Sequence, residues 1–412
     1  MEKTQTPSKK LTRITAAILT AAFLGFVFTV FFVMLIQEHH ALVHSVQMTP
    51  ELKATLPEHP DKLDRLSARI SSFTAAIADK MWLKEDMGYV NSAFQYALGK
   101  RVINTGTQNM ITLTTGHLYD LTDYKPLETN AREIVATRQS TLAGIPFLIV
   151  YEHPTLYDDA MMPAGYEALD HSAQMADEVL SILRENDIPV LDSREVLTES
   201  GRDLDDLLMV TDQHWSTLAA ITMAQRIAGE INDMTGANLD PTRLDLENLN
   251  TLTHEKLFMG KYGQRVGTAL VEPDDIVEYW PKYETEITRD YKRSKTEGHG
   301  EGSFREAVTR FDRLDPEPGK TWNTYAYTYY GQVENYDLLT NPDAPDVTVM
   351  LLKDSYSAPI GTFMSLMARH MVCVDLRQDS RPLEEWVEKY HPDVVVMAYS
   401  LQMLRDDEYE FG

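Results

Sequence analysis

Residues 347–356 read Val-Thr-Val-Met-Leu-Leu-Lys-Asp-Ser-Tyr. Six apolar or β-branched residues followed at once by Lys-Asp-Ser describe a strand buried on both faces that stops at a turn. Behind it, Pro359 to His370 keeps helical spacing and His370 to Asp375 forms a second apolar run. Leu383 to Tyr390 is helical again, and Asp393 to Met397 is a last short strand. Strands alternating with helices predict a parallel sheet covered on both faces. Sites in such sheets lie beyond the carboxyl ends of the strands, which makes Ser355 a candidate.

The same alternation is legible upstream. Ile145 to Val150 reads as a buried strand, Pro163 to Arg184 as a helix, and Ile188 to Leu191 as the next strand. Leu207 to Val210 reads as a further strand that runs straight into Thr211-Asp-Gln-His-Trp215. Leu218, Ile221, Ala224, Ile227 and Ile231 then keep a helical period, with Ser216 or Thr217 placed to cap it. Arg101 to Leu121 looks like short strands and turns. Between about residues 235 and 345 the pattern weakens into a stretch rich in charge, Tyr, Gly and Pro, with Lys292 to Gly302 as an exposed loop. That stretch reads as an insertion in a domain spanning 100–412.

Composition narrows the partners. The 412 residues are 43% hydrophobic and 25% charged, so a sizeable core is expected. A net charge of -25 speaks against nucleic acid, which is bound largely by Lys and Arg, and against a polybasic grip on anionic lipid. The one cysteine, Cys373, lies in an apolar run and reads as a small buried hydrophobe; no intrachain disulfide is open to it.

From Ile14 to Gln37 there is no charged side chain, long enough to cross a bilayer as a helix. Lys3, Lys9, Lys10 and Arg13 precede it, which sets the N-terminus, residues 1–13, in the cytoplasm and the rest outside. A cleaved signal peptide is the rival reading, but the run is long for one and ends in bulky residues such as Phe31, Phe32, Met34 and Leu35. Residues 14–37 are therefore expected to be a single-pass anchor in the cell membrane. Residues 38–99 follow as a stalk and helical segment, in which Leu63, Leu66, Ile70, Phe73 and Ile77 recur at helical spacing.

Acyl transfer by serine needs a hydroxyl on a tight turn, an imidazole to take its proton, and a carboxylate to orient the imidazole. Ser355 and the Asp212/His214 pair both follow a predicted strand. Two residues of separation let a carboxylate hold one ring nitrogen while the other faces the serine. Each motif alone has a bland reading, as a helix cap or a solvated loop; their joint position at strand ends favours the triad.

These residues resemble the alginate O-acetyltransferase branch of the SGNH (GDSL-like) hydrolases, and the related bacterial proteins named for an Asp-His-His-Trp signature. The resemblance rests on Thr211-Asp-Gln-His-Trp215 ahead of Leu351-Leu-Lys-Asp-Ser-Tyr356. Further echoes are Thr115-Gly-His-Leu-Tyr-Asp120, Phe258-Met-Gly-Lys-Tyr262, Tyr329-Tyr-Gly331 and Val374-Asp-Leu-Arg377. It implies a three-layer α/β/α, flavodoxin-like parallel sheet and acetyl-ester chemistry on an exported or cell-surface glycan, without a cofactor or metal. It also implies a multi-span membrane acyltransferase as acetyl supplier. Carried over by position, Ser355 is the nucleophile, His214 the base and Asp212 the orienting acid.

The chain departs from the pattern where Lys353 replaces the usual Gly and where Gln213 stands in the histidine motif. Lys353 reads as a solvated strand-end lysine, with site cover or anion binding as the alternatives. Tyr330, Gly331, Gln332, Asp375 and Arg377 are further candidates for the substrate or oxyanion side; Arg377 also fits a structural salt bridge. Transferase and esterase remain open, since they differ only in the second nucleophile. A non-catalytic glycan-binding or scaffold subunit is the alternative from another class. A metallohydrolase using His214, His117, His153 or Asp212 lacks helical ligand spacing.

Overall fold

The computed structural model describes residues 84–405 other than 106, 107, 154, 157, 332 and 333, together with residues 25, 28, 29, 32, 36, 62 and 65–72. The chain divides into two units, residues 1–90 and 91–412. In the first, residues 25, 28, 29, 32 and 36 are helical, as are 65–72, where Leu66 and Ile70 are exposed. The remainder of the expected anchor at 14–37, the stalk at 38–60, and Leu63, Phe73 and Ile77 lie outside the described residues. Among the described residues no helix is long and apolar enough to cross a membrane.

In the second unit β1 (Val102–Asn104), β2 (Asn109–Thr112) and β3 (Leu118–Asp120) form a short antiparallel sheet, and the rest is built on one eight-stranded sheet. Five parallel strands form its centre in the order β5 (Val190–Asp192), β4 (Phe147–Glu152), β13 (Val394–Ser400), β11 (Thr348–Lys353) and β12 (His370–Val374). Alternate residues feed two separate cores. Val349 and Leu351 of β11 join one, Met350 and Leu352 the other, as expected when both faces are covered. Helices α1 (Glu128–Gln139), α2 (Ser172–Glu185) and α5 (Leu383–Tyr390) pack on one face. Helices α3 (Thr217–Thr235) and α4 (Ala358–Met364) pack on the other. Close approach on that second face depends on Gly361, where an added Cβ would lie 2.6 Å from Cys373 Sγ. Cys373 is buried there, which pushes its thiol up to about 12.

The strand β11 and the helices α3 and α5 stand close to where the residue pattern puts them. Four expectations change, the first being the helix expected over 163–184, which begins only at Ser172 and runs to Glu185. Leu207 to Val210 is not a strand of the sheet: residues 204–207 are one helical turn, and only an isolated bridge joins Leu208 to Trp215. Its apolar residues face the core from a loop, a burial that a short hydrophobic run cannot distinguish from strand pairing. The helix after Ser355 is shorter than Pro359–His370, ending at Met364, and begins three residues after Ser355. Within residues 292–302, β8 (Ile287–Arg293) and β9 (Thr296–Gly302) form a hairpin in place of a loop.

That hairpin and β10 (Tyr336–Thr340) extend the main sheet with antiparallel strands, in the order β12-β10-β8-β9. Within residues 235–345 a separate two-stranded sheet also forms, from β6 (Leu249–Phe258) and β7 (Asp274–Pro281). The sequence between the two motifs therefore adds to the sheet.

Helix α3 carries the residues after the histidine motif, and its buried stripe includes Leu218, Ile221, Ala224, Ile227 and Ile231. Ser216 caps it: its Oγ accepts from Ala219 N–H at 3.2 Å and donates to Asp206 O at 2.5 Å. Replacing Ser216 by Ala removes both bonds. Chemical denaturation is expected to show a loss of about 1–2 kcal/mol.

Candidate active site

Ser355 sits on a turn directly beyond β11, and Asp354 fixes that turn. Asp354 Oδ1 accepts from Tyr356 N–H at 2.8 Å and its Oδ2 from Ser400 N–H at 2.9 Å. Asp354 N–H donates to Ser357 Oγ, whose hydroxyl donates to the Ala398 carbonyl. The turn is thus anchored to β13, and Ser355 is left half-buried at the sheet's carboxyl edge.

The histidine arrives from a loop, so it has to be held sideways. Trp215 Nε1–H donates to the carbonyl of Tyr356 at 3.1 Å, joining the loop directly to the serine turn. Asp274, half-buried, accepts from Val210 N–H at 2.7 Å, Thr211 N–H at 2.9 Å and Thr211 Oγ1–H at 2.5 Å. Burial raises the Asp274 carboxyl to about 6 against those three stabilising bonds. Gly260 N–H donates to Thr211 Oγ1, Gly263 N–H to Thr211 O, and Lys261 N–H to Asp212 Oδ2 at 2.6 Å.

Within this frame the three candidate residues form one chain. His214 Nε2 is 2.8 Å from Ser355 Oγ, and His214 Nδ1 is 2.5 Å from Asp212 Oδ1. Asp212 is almost fully buried and His214 nearly so. Burial pushes the Asp212 carboxyl up, but the His214 ring, the Lys261 N–H and the His214 N–H outweigh it and hold the group below its ordinary value. Tyr327 stacks on the His214 ring at 4.4 Å between centroids and 22° between planes. Tyr356 lies against the same ring at 4.5 Å. Between them the imidazole has little freedom to turn away from the serine. Burial raises the Tyr327 phenol well above its usual range, so it stays neutral beside Asp212.

A cavity of about 10 Å³ opens beside Ser355, lined mainly by Met209, Trp215, Ile276, Tyr327 and Pro359. That is room for roughly one water molecule.

The other candidates lie elsewhere. Lys353 is fully buried, which corrects its reading as a solvated lysine: Nζ donates to the Glu334 carbonyl at 3.0 Å. It neighbours a buried ionic layer in which Arg289 pairs with Asp337 at 2.5 Å. Tyr330 is buried with its hydroxyl donating to the Tyr279 carbonyl. Gly331 has φ +90 and an added Cβ would sit 2.3 Å from Arg289 Nη2, so its role is to let that guanidinium pass. Gln332 lies outside the described residues. Asp375 is fully buried and grips Arg377 through two bonds of 3.0 and 2.8 Å, the salt-bridge reading of that arginine. Among the described residues no three His, Cys, Asp or Glu side chains are grouped to hold a metal. His117 is buried against Thr115 and His153 packs edge-on to Tyr151.

Sequence reading missed Tyr327, Asp274 and the backbone of Gly260 and Lys261 as parts of the site. The aromatic cluster Tyr325-Ala-Tyr-Thr-Tyr-Tyr330 was a signal for the first. Asp274 lies in no motif and had none.

Residues 116–298 match the family model described as SGNH hydrolase-like domain, acetyltransferase AlgX. The match takes in Asp212 and His214 and ends before Ser355. A DHHW family protein from Eubacterium siraeum has a similar structure, with TM-score 0.56, 14% identity, 75% of this chain and 95% of that one covered. So does Bacillus cereus PatB1, with TM-score 0.58, 15% identity, and 74% and 99% covered. No curated protein matches the chain in sequence. The resemblance carried by the motifs is therefore shown, and the fold is SGNH-like α/β with a mostly parallel central sheet.

The loop's geometry makes Gly260 a test of the site's construction. An added Cβ there would stand 2.4 Å from Asp212 Cβ and 2.5 Å from Thr211 O. Gly260→Ala is expected to destabilise the protein by about 1–3 kcal/mol in thermal or denaturant unfolding, because overpacking forces the Asp212 loop to move.

Proposed function

We propose that this chain is a serine-dependent acyl-ester enzyme, an O-acetyltransferase acting on an exported or cell-surface glycan. The observation that carries the reading is the continuous Ser355–His214–Asp212 chain at 2.8 and 2.5 Å. The matched family description and the fold support acetyl chemistry.

In the reaction, Ser355 Oγ attacks the acyl carbonyl carbon while His214 Nε2 takes the hydroxyl proton. Asp212 keeps Nδ1 protonated and stabilises the imidazolium that forms. The Ser355 N–H is the donor assigned to the oxyanion. Collapse of the tetrahedral intermediate breaks the bond to the leaving oxygen, which takes the proton from His214, and acyl-Ser355 remains. A sugar hydroxyl then attacks that ester while giving its proton to His214, which passes it to Ser355 Oγ as the bond to the acyl carbon breaks, leaving the acetylated sugar and the free serine. Water in the place of that hydroxyl gives the esterase reaction, so the transferase reading requires that the acceptor sugar exclude water from acyl-Ser355.

Location belongs to the same proposal. The uncharged run at 14–37 behind Lys3, Lys9, Lys10 and Arg13 serves as a single-pass anchor that holds residues 100–412 outside the cell membrane. A multi-span acyltransferase supplies the acetyl group there.

Incubation with a small acetyl ester followed by mass spectrometry is expected to find an acetyl adduct on Ser355. Ser355→Ala is expected to lose the adduct and at least about 10³-fold in turnover with the fold intact, and Asp212→Asn about 10⁴-fold in kcat through the wrong tautomer. Equal turnover by Ser355→Ala would refute the proposal. Glycan binding unchanged in all variants, with no chemistry in any, would leave a binding subunit instead.

A further inference from the structure

Glu152 ends β4 as the one charged residue of Phe147–Glu152, fully buried, and neither carboxyl oxygen has a hydrogen bond of normal geometry among the described residues. A bare carboxylate in such a place is costly. Its surroundings explain what keeps it. Glu152 pairs in register with Ser400, and Ser400 N–H donates to Asp354 Oδ2 at 2.9 Å. The Glu152 carboxyl therefore lies beside Asp354, the residue that holds the turn carrying Ser355.

We infer that Glu152 is a positioning residue: as a neutral carboxylic acid it shares its proton with Asp354, and the pair locks the Ser355 turn. The inference rests on the reading of Ser355 as nucleophile. Two charged carboxylates packed together in a dry site repel, and one bridging proton converts the repulsion into a hydrogen bond. Two other groups whose field reaches the pair are already engaged or neutral. Arg377, from beyond β12, is the cation whose field reaches Asp354, but Asp375 holds it in two bonds. Tyr356, from the turn after β11, is a buried phenol that burial keeps neutral. His153 follows Glu152 in the chain and Tyr399 precedes Ser400 on β13, and both are buried. Burial, then the adjacent Asp354, hold the Glu152 carboxyl well above its ordinary value.

The linkage has a definite sign. Below the ordinary carboxyl range, folded and unfolded chains both carry the proton. As pH rises above it, the unfolded chain releases a proton that the folded protein keeps, so this contribution to stability shrinks until Glu152 ionises.

The experiment compares the full chain with Glu152→Gln, which donates a hydrogen bond at every pH, and Glu152→Ala, which donates none. Infrared spectra at pH 7 are expected to show the carbonyl stretch of a buried protonated acid in the parent and not in Glu152→Gln. The melting temperature of Glu152→Gln is expected to gain on the parent as pH rises from about 5 to 8. With a small acetyl ester, Glu152→Gln should keep the neutral-pH kcat within about twofold and lose the parent's alkaline decline. Glu152→Ala should lose about 10- to 100-fold in kcat with KM unchanged, as for a displaced nucleophile. Absence of the acid band overturns the shared proton. A band with identical pH–kcat profiles in the parent and both variants overturns the positioning role. If the parent itself turns over no ester, the nucleophile reading fails, and with it the positioning role; the band and melting temperatures still decide the proton sharing.

Discussion

The hydrogen bond from the Trp215 indole N–H to the Tyr356 carbonyl fastens a loop to the serine turn. On one side is a turn rooted in the central strand of a parallel sheet. On the other is a loop with one isolated bridge of its own. A triad needs its atoms placed to a fraction of an ångström, and loops do not provide that unaided. The loop is therefore held from three directions: Asp274 takes its backbone N–H groups, Gly260 and Lys261 press against Thr211 and Asp212, and Tyr327 lies over the imidazole. Each of these comes from the chain segment between the two motifs.

The electrostatic consequence is a concentration of buried acid. Asp212, Asp354 and Glu152 are buried, and Asp274 half-buried, around one turn and one loop. Each ionised carboxylate there requires donors. Asp212 has the His214 ring and backbone N–H groups; Asp274 has two N–H groups and a hydroxyl; Asp354 has two N–H groups. Backbone N–H groups cannot be lost by a surface rotamer change, so they hold negative charge in place while Ser355 stays at the edge. Lys353 belongs to a different layer, with Glu334, Asp337 and Arg289, and its charge is spent on the sheet's antiparallel extension.

The central sheet was legible because both of its faces are covered. Continuous apolar runs such as Val347–Leu352 and Asp393–Met397 have few other places to go in an α/β pattern. Ser355, His214 and Asp212 were legible from motif and position together. Leu207–Val210 was misread because burial against a core, not pairing, makes those residues apolar. Lys353 was misread because a lysine at a strand end is usually solvated, and its partners on Glu334, Asp337 and Arg289 lie far away in sequence. Strand β9, with Thr-Glu-Gly-His-Gly-Glu-Gly, has no apolar alternation at all. It is an edge strand held by the β8 ladder, so its side chains carry no strand signal. Tyr327 and Asp274 act through contacts that only tertiary structure supplies.

The same geometry bridges the long gap between the acid–histidine motif and the serine. The separation between His214 and Ser355 is 141 residues. Loop-closure entropy grows only with the logarithm of such a length, so separation alone is a modest cost. What the fold must supply is a fixed meeting point, and it does so by packing α3, which begins just after the histidine, against α4, which begins just after the serine. Once those two helices share one face of the sheet, the chain between them is free to vary in length. It is not free to vary everywhere: Gly260, Lys261, Asp274, Ile276 and Tyr327 all return from it to the histidine loop or to the cavity beside Ser355. The segment that looks least regular in sequence is thus the wall of the site, and its apparent irregularity is that of a surface shaped around three side chains.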